Sequence, residues 1–190
     1  PGGNLTRAMS LAATNVLLHR ADLKVNRAAH FRYRTGYTLR RRNVPDYDLI
    51  LIGRGRGHWD IEGLGRRQTG PGAVLLLGPD VAHGTAGTIA GPYELVSIHF
   101  DLRIDGGTDF FDVVPYPRLL RLRDWQGLYS LAASAAAQWG REDLGRDLLI
   151  HDLTRAILIR LIRRYARVSG AAPATDPRIL EVLDRLDREF

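Results

Sequence analysis

The chain has 190 residues, 45% of them hydrophobic, with a net charge of +6 and no cysteine. That length supports one good core, and the composition excludes disorder and fibrous repeats. The absence of cysteine excludes disulfides and thiolate metal sites, leaving histidine and carboxylate as ligand types. No apolar run approaches the roughly 20 residues of a spanning helix. Pro1-Gly-Gly-Asn4 carries no charged region followed by an apolar one, so the expected setting is the cytoplasm, without a membrane. Positive charge invites a nucleic-acid reading. Lys24 is the sole lysine, however, and arginine rises together with Ala, Gly and Leu, so the arginines read mainly as solvated faces and ion pairs.

Residues 1–30 show no sustained period and read as an arm plus an early strand. His30–Leu39 alternates polar and aromatic residues, as a half-buried strand does. Asp48–Ile52 is apolar on both faces after its first residue, which predicts a strand covered on both sides. Gly53, Gly55 and Gly57 then mark a bulge or a barrel corner. Period two puts Trp59 and Ile61 on the core face and His58, Asp60 and Glu62 on the other. Those three polar side chains form a rival metal site, but a face opposite the core is expected to be solvated. Ala73–Leu77 is a second buried strand, ended by Gly78-Pro79. On the last strand Tyr93, Leu95, Ser97, His99 and Asp101 share a mixed polar and aromatic face, and Glu94, Val96, Ile98, Phe100 and Leu102 the apolar one. A barrel whose interior holds a small polar ligand has this pattern.

After residue 118 the period changes to helical. Asp124 reads as the cap of a helix over 124–139, and a second helix is expected over 143–168, with Leu149, Leu153, Ile157, Leu158, Leu161, Ile162 and Tyr165 as a wide stripe. Residues 170–176 read as a linker. Asp176-Pro177 starts a further helix with Ile179, Val182, Leu183, Leu186 and Phe190 on one face. A helix of roughly 14 residues is marginal alone, so continuation into another domain is expected. No nucleophile-elbow, phosphate-loop or zinc-protease motif occurs.

Taken in order, Tyr47–Gly57, Pro71–Pro79 with His83, Ile98-His-Phe100, two helices and Asp176-Pro-Arg-Ile-Leu180 resemble the N-terminal sensing domain of AraC-type bacterial transcription regulators, over residues 26–190. The resemblance implies an α+β fold: a cupin-like (jelly-roll) β-barrel followed by two antiparallel helices. It divides the chain into an N-terminal arm and cupin-like barrel (1–118), a helical dimerisation subdomain (119–169), the linker (170–176) and the first helix of a truncated DNA-binding domain (177–190). Partners so implied are a small-molecule effector, most often a sugar, a homodimer through helices 124–139 and 143–168, and DNA only through a C-terminal domain beyond this chain. Catalytic residues, metal and cofactor are not expected. Metal-dependent cupins carry His-x-His before a carboxylate; here Arg40 and Arg42 stand at those places, with Asp48 and Gly55 keeping the spacing that follows. Arginine has no lone pair for a metal but donates paired hydrogen bonds to carboxylates or vicinal hydroxyls. Arg40, His83, Tyr93, Ser97 and His99 are therefore the candidate ligand-binding residues. The alternatives are a metal-dependent cupin enzyme (isomerase or dioxygenase) and a dimerising module with no ligand.

Overall fold

The computed structural model describes the backbone of residues 11–105 and 107–169, and the side chains of 14–105 and 107–165. The expected linker and the helix from 177, like the first ten residues, lie outside that range. The chain divides into two compact units. Among the described residues one takes in 24–101 and 117–159, the other 11–23, 102–116 and 160–169.

The larger unit is built on two antiparallel sheets. The main sheet runs β1(Ala21–Tyr33), β7(Tyr93–Ile104), β2(Tyr47–Arg54), β5(Ala73–Leu77), β9(Leu119–Arg121) in spatial order. The smaller sheet is β4(Gly65–Thr69), β3(Gly57–Ile61), β6(His83–Thr85). Strand parity explains why the two share a core. Ile50 and Ile52 of β2, Leu75 and Leu77 of β5 and Leu95 of β7 meet Trp59 and Ile61 of β3 in one buried cluster. Trp59 and Ile61 are both 0% exposed, while Asp60 and Glu62 on the opposite face pair with Arg41 at 3.5 and 3.9 Å. The expected solvated face is thus the observed one.

This is the cupin-like α+β architecture expected from the sequence, with one difference. The strands form two sheets with edges, at β1 and β9 and at β4 and β6, rather than one closed barrel. Arginines blunt two of those edges. Arg121 of β9 donates to Gln68 O of β4 at 2.7 Å, and Arg118 donates to the carbonyl of Glu62.

Gly53 sits where the β2–β7 register shifts between Ile52 and Arg54, the bulge that the glycine run predicts. α3(Gln126–Gln138) can lie against β2 there because residue 53 has no Cβ, which would collide with Tyr129 Cζ. Tyr129 is anchored further: its hydroxyl lies 3.1 Å from His30 Nε2, which is 2.7 Å from Glu94 Oε1. Gly53→Val is expected to push the ring out and cost about 1–3 kcal/mol. A lower midpoint in urea and a weaker near-ultraviolet circular dichroism signal from Tyr129 and its neighbour Trp125, 5.6 Å away, would check it.

Several boundaries differ from the sequence reading. Residues 11–20 form a helix, α1(Leu11–Arg20), in place of an arm: its Ala and Leu are good helix formers, and His19 and Arg20 suit its C-terminal dipole. β1 begins directly after it and ends at Tyr33, before the bend at Arg34-Thr35, so 34–39 is not strand. Trp125, not Asp124, is the cap residue of α3, and no side chain caps it. In α4(Arg146–Ser169) the buried positions are Ile150, Thr154, Ile157, Leu158 and Leu161, whereas Leu149 is 44% exposed. In the smaller unit β8(Thr108–Asp109) pairs with the end of β7, and Asp109 accepts from Phe111 N at 2.9 Å to cap the short α2(Phe110–Val113).

Candidate functional site

A carboxylate on an inward-facing strand position needs an explanation, since buried charge is costly unless it is paired. Asp48 is such a residue. It precedes Ile50 and Ile52 on the core face of β2 and is 1% exposed. Across the sheet its register partner is His99 of β7, and Ser97, two residues away on the same face, donates to Asp48 Oδ1 at 2.7 Å. The other oxygen, Oδ2, lies 3.6 Å from His83 Nε2, 3.6 Å from His99 Nε2 and 3.7 Å from an Arg42 amino nitrogen.

Both imidazoles are fixed from behind. His83 Nδ1 is 2.8 Å from Val81 O, and a carbonyl only accepts, so Nδ1 carries the proton. His99 Nδ1 is 2.8 Å from Asp46 Oδ1, which fixes that ring in the same sense. Asp46 Oδ2 accepts from Asn26 Nδ2 at 3.0 Å, and the same amide reaches Asp101 Oδ2 at 2.9 Å. Three polar atoms therefore converge with their geometry preset. Asp48 Oδ2 and His83 Nε2 are wholly buried and have no hydrogen-bond partner among the protein atoms. No group of three or more His, Cys or acidic side chains among the described residues is arranged to hold a metal ion.

β6 brings His83 here by close approach. The segment before β2 lies along it, with Arg42 N donating to His83 O at 2.9 Å and His83 N to Arg42 O at 3.0 Å. Gly84 makes this possible, since a Cβ there would stand 2.8 Å from Arg41 N and from Leu39 O. The neighbourhood on the core side is aromatic. Trp59 stacks on His83 with centroids 6.4 Å apart, and its Nε1 donates to Tyr93 OH at 3.1 Å. Tyr93 stacks on Tyr37 at 5.3 Å, and Tyr37 meets the half-buried Tyr33 at 4.5 Å.

Of the residues picked out from the sequence, His83, Ser97 and His99 come together on Asp48. Tyr93 belongs to the adjoining aromatic cluster, with its hydroxyl engaged by Trp59. Arg40 is exposed, and the guanidinium that approaches Asp48 is that of Arg42. Asp48 entered the sequence reading only as the head of a strand and for its spacing to Gly55, and Asp46 did not enter it. Yet a lone aspartate at the head of an apolar strand was a visible signal of a buried polar site.

Burial alone pushes the Asp48 carboxyl up, but the contact with His83, the charge of His99 and the Ser97 bond outweigh it and hold the group below the ordinary carboxylate value. At 3.6 Å the His83 contact is longer than a made hydrogen bond. Glu94 follows the same pattern: burial raises it, and the bonds from His30 and Arg32 bring it below its usual value. A depressed folded-state value contributes stability that is present above the unfolded value and lost as pH falls through the folded one. The melting temperature is therefore expected to hold from neutral pH down to about 4.5, then to fall steeply through the range below the ordinary carboxylate values. Asp48→Asn should flatten part of that acid limb in melts taken across pH.

No protein-family model matches the chain, and no curated protein matches its sequence. Among solved structures its neighbours are ToxT and cupin-fold proteins. ToxT from Vibrio cholerae is 11% identical over 75% of this chain and 58% of that chain, with a TM-score of 0.49. A cupin-family protein with a double-stranded β-helix fold from Methanocaldococcus jannaschii is 12% identical over 41% of this chain and 79% of that one, with a TM-score of 0.34. YhaK from Escherichia coli is 20% identical over 57% of this chain and 45% of its own, with a TM-score of 0.38. The matched part thus spans little more than half of ToxT. Residue roles do not transfer at such identities, and the site stands on its own geometry. No described helix is long and apolar enough to cross a membrane.

Proposed function

We propose that this chain is the effector-sensing and dimerisation domain of an AraC-type transcription regulator, not an enzyme, acting in the cytoplasm. The observation that carries the reading is the Asp48 cluster: Asp48 Oδ2 and His83 Nε2, buried and without a hydrogen-bond partner, beside His99 and Arg42 in an otherwise apolar interior. A sugar suits it chemically. One hydroxyl can donate to the carboxylate oxygen, Arg42 can hold vicinal hydroxyls, and the half-buried rings of Phe31 and Tyr33, stacked at 6.2 Å, offer an apolar face. The ligand-binding residues proposed are His83, Ser97 and His99 around Asp48, with Tyr93 behind them and Arg40 at the exposed approach.

Dimerisation through helices 124–139 and 143–168 is supported by Leu144, Leu148 and Leu149, which are 106%, 72% and 44% exposed. The division into arm and barrel, helical subdomain, linker and start of a DNA-binding domain follows the same reading, with DNA bound only through that later domain. Effector binding would shift the population between arrangements of the arm and helices.

A thermal-shift screen tests the proposal, using pentoses, hexoses and short carboxylic acids, together with an unsaturated fatty acid because ToxT has been solved with one bound. A sugar at about 100 times its Kd is expected to stabilise by about 2.7 kcal/mol, several degrees in melting temperature. His83→Gln should lose that response. No stabilisation by any compound beside a dimer in sedimentation, or stoichiometric Fe, Mn or Zn in the purified protein, would overturn it.

A further inference from the structure

A recess in the larger unit has an electrostatic character opposite to that of the Asp48 cluster. It is a cavity of about 300 Å³ lined by Arg56, Gln68, Thr69, Gly70, Pro71 and Arg121 among others, with no acidic side chain in its lining. That volume is at the lower end of small-molecule sites, roughly 300–1,000 Å³. Arg56 has no ion-pair partner among the described residues, and its stem lies over Gly70, where a Cβ would stand 3.2 Å from Arg56 Cγ. Arg121 is held by its 2.7 Å bond to Gln68 O, which uses one of five guanidinium N–H donors and leaves the rest for a ligand.

Thr69 gives the cavity a buried polar lining. It is 1% exposed, its hydroxyl donates to Gly57 O at 3.3 Å, and it bonds the Tyr93 hydroxyl that also receives Trp59 Nε1. Pro71 and Ala73 contribute an apolar wall. Two guanidiniums without a carboxylate, beside a short apolar surface, are the complement of a small organic anion. The Asp48 cluster, which presents a carboxylate, would repel the same molecule.

We propose that this cavity binds a small organic anion, its carboxylate or phosphate group held between Arg56 and Arg121. The inference is independent of the reading given for the Asp48 cluster.

Isothermal titration with sodium succinate and with inorganic phosphate, at low ionic strength, tests it. Saturable binding of at least one is expected, and which of them binds identifies the head group. Raising the salt should weaken binding, because exposed charges are screened. Arg56→Gln and Arg121→Gln should each weaken binding ten-fold or more, while Arg163→Gln, an exposed arginine of α4, controls for loss of net charge and should leave it unchanged. Both cavity arginines are exposed, so the variants are expected to melt with the parent. Absence of saturable binding by either anion, parental affinity in both cavity variants, or an equal loss in Arg163→Gln would overturn the assignment.

Discussion

Asp48→Ala is expected to destabilise the protein by about 3–5 kcal/mol at pH 7, the range for removing one partner of a buried charged group. Asp48 is the hub of its cluster: Ser97 donates to one oxygen, and His83, His99 and Arg42 face the other. Without it the Ser97 hydroxyl and both Nε2 atoms face a small cavity, and the positive charge of Arg42 loses its counter-charge. For a chain of this size the loss amounts to roughly 10 °C in melting temperature. The difference from the parent should narrow below pH 4, where the parent's carboxyl also becomes protonated. A parental melting temperature at pH 7 would show that the cluster contributes nothing to stability. Asp48→Asn keeps the shape and an acceptor for Ser97, so it should cost less than alanine yet abolish the response to effector.

The second large effect is expected at Trp59. It is 0% exposed, lies in the cluster that both sheets share, stacks on His83 and donates to Tyr93. Trp59→Ala removes the largest side chain of that core, and the expected cost is about 3–5 kcal/mol. Trp59→Phe keeps most of the packing and loses the indole N–H. Tyr93 retains Thr69 as a partner, so the cost should be about 1 kcal/mol, that of one hydrogen bond. Urea denaturation of the two variants separates packing from hydrogen bonding, and equal midpoints would contradict this account. Because Trp59 supports His83 on one side and reaches Thr69 through Tyr93 on the other, Trp59→Ala is expected to weaken both proposed sites.

Legibility in the sequence followed the physics of each element. β2, β3, β5 and β7 were visible because strand parity and burial act residue by residue: Trp59 and Ile61 inward, Asp60 and Glu62 outward, and Tyr93, Ser97 and His99 together on one face. The bulge at Gly53 was visible because glycine in an apolar strand has few other uses. α1 was not, since its ten residues carry no clean apolar period, and helix propensity alone is a weak signal. The end of β1 was also hidden, because polar and aromatic alternation continues past Tyr33 into a segment that pairs with β6 and not with the main sheet.

Sequence by itself determined the strand faces, the two helical segments after residue 118 and two of the residues that meet at the site, Ser97 and His99, since periodicity is a local property; His83 was picked out through the family resemblance. Only tertiary structure decided that Asp48 is their common partner, that Arg42 rather than Arg40 approaches it, and that the strands form two open-edged sheets. Each of those depends on cross-strand register and on the close pass of residues 39–42 along β6 that Gly84 permits. Which distant segments meet is set by packing of the whole chain and leaves no period in the local sequence.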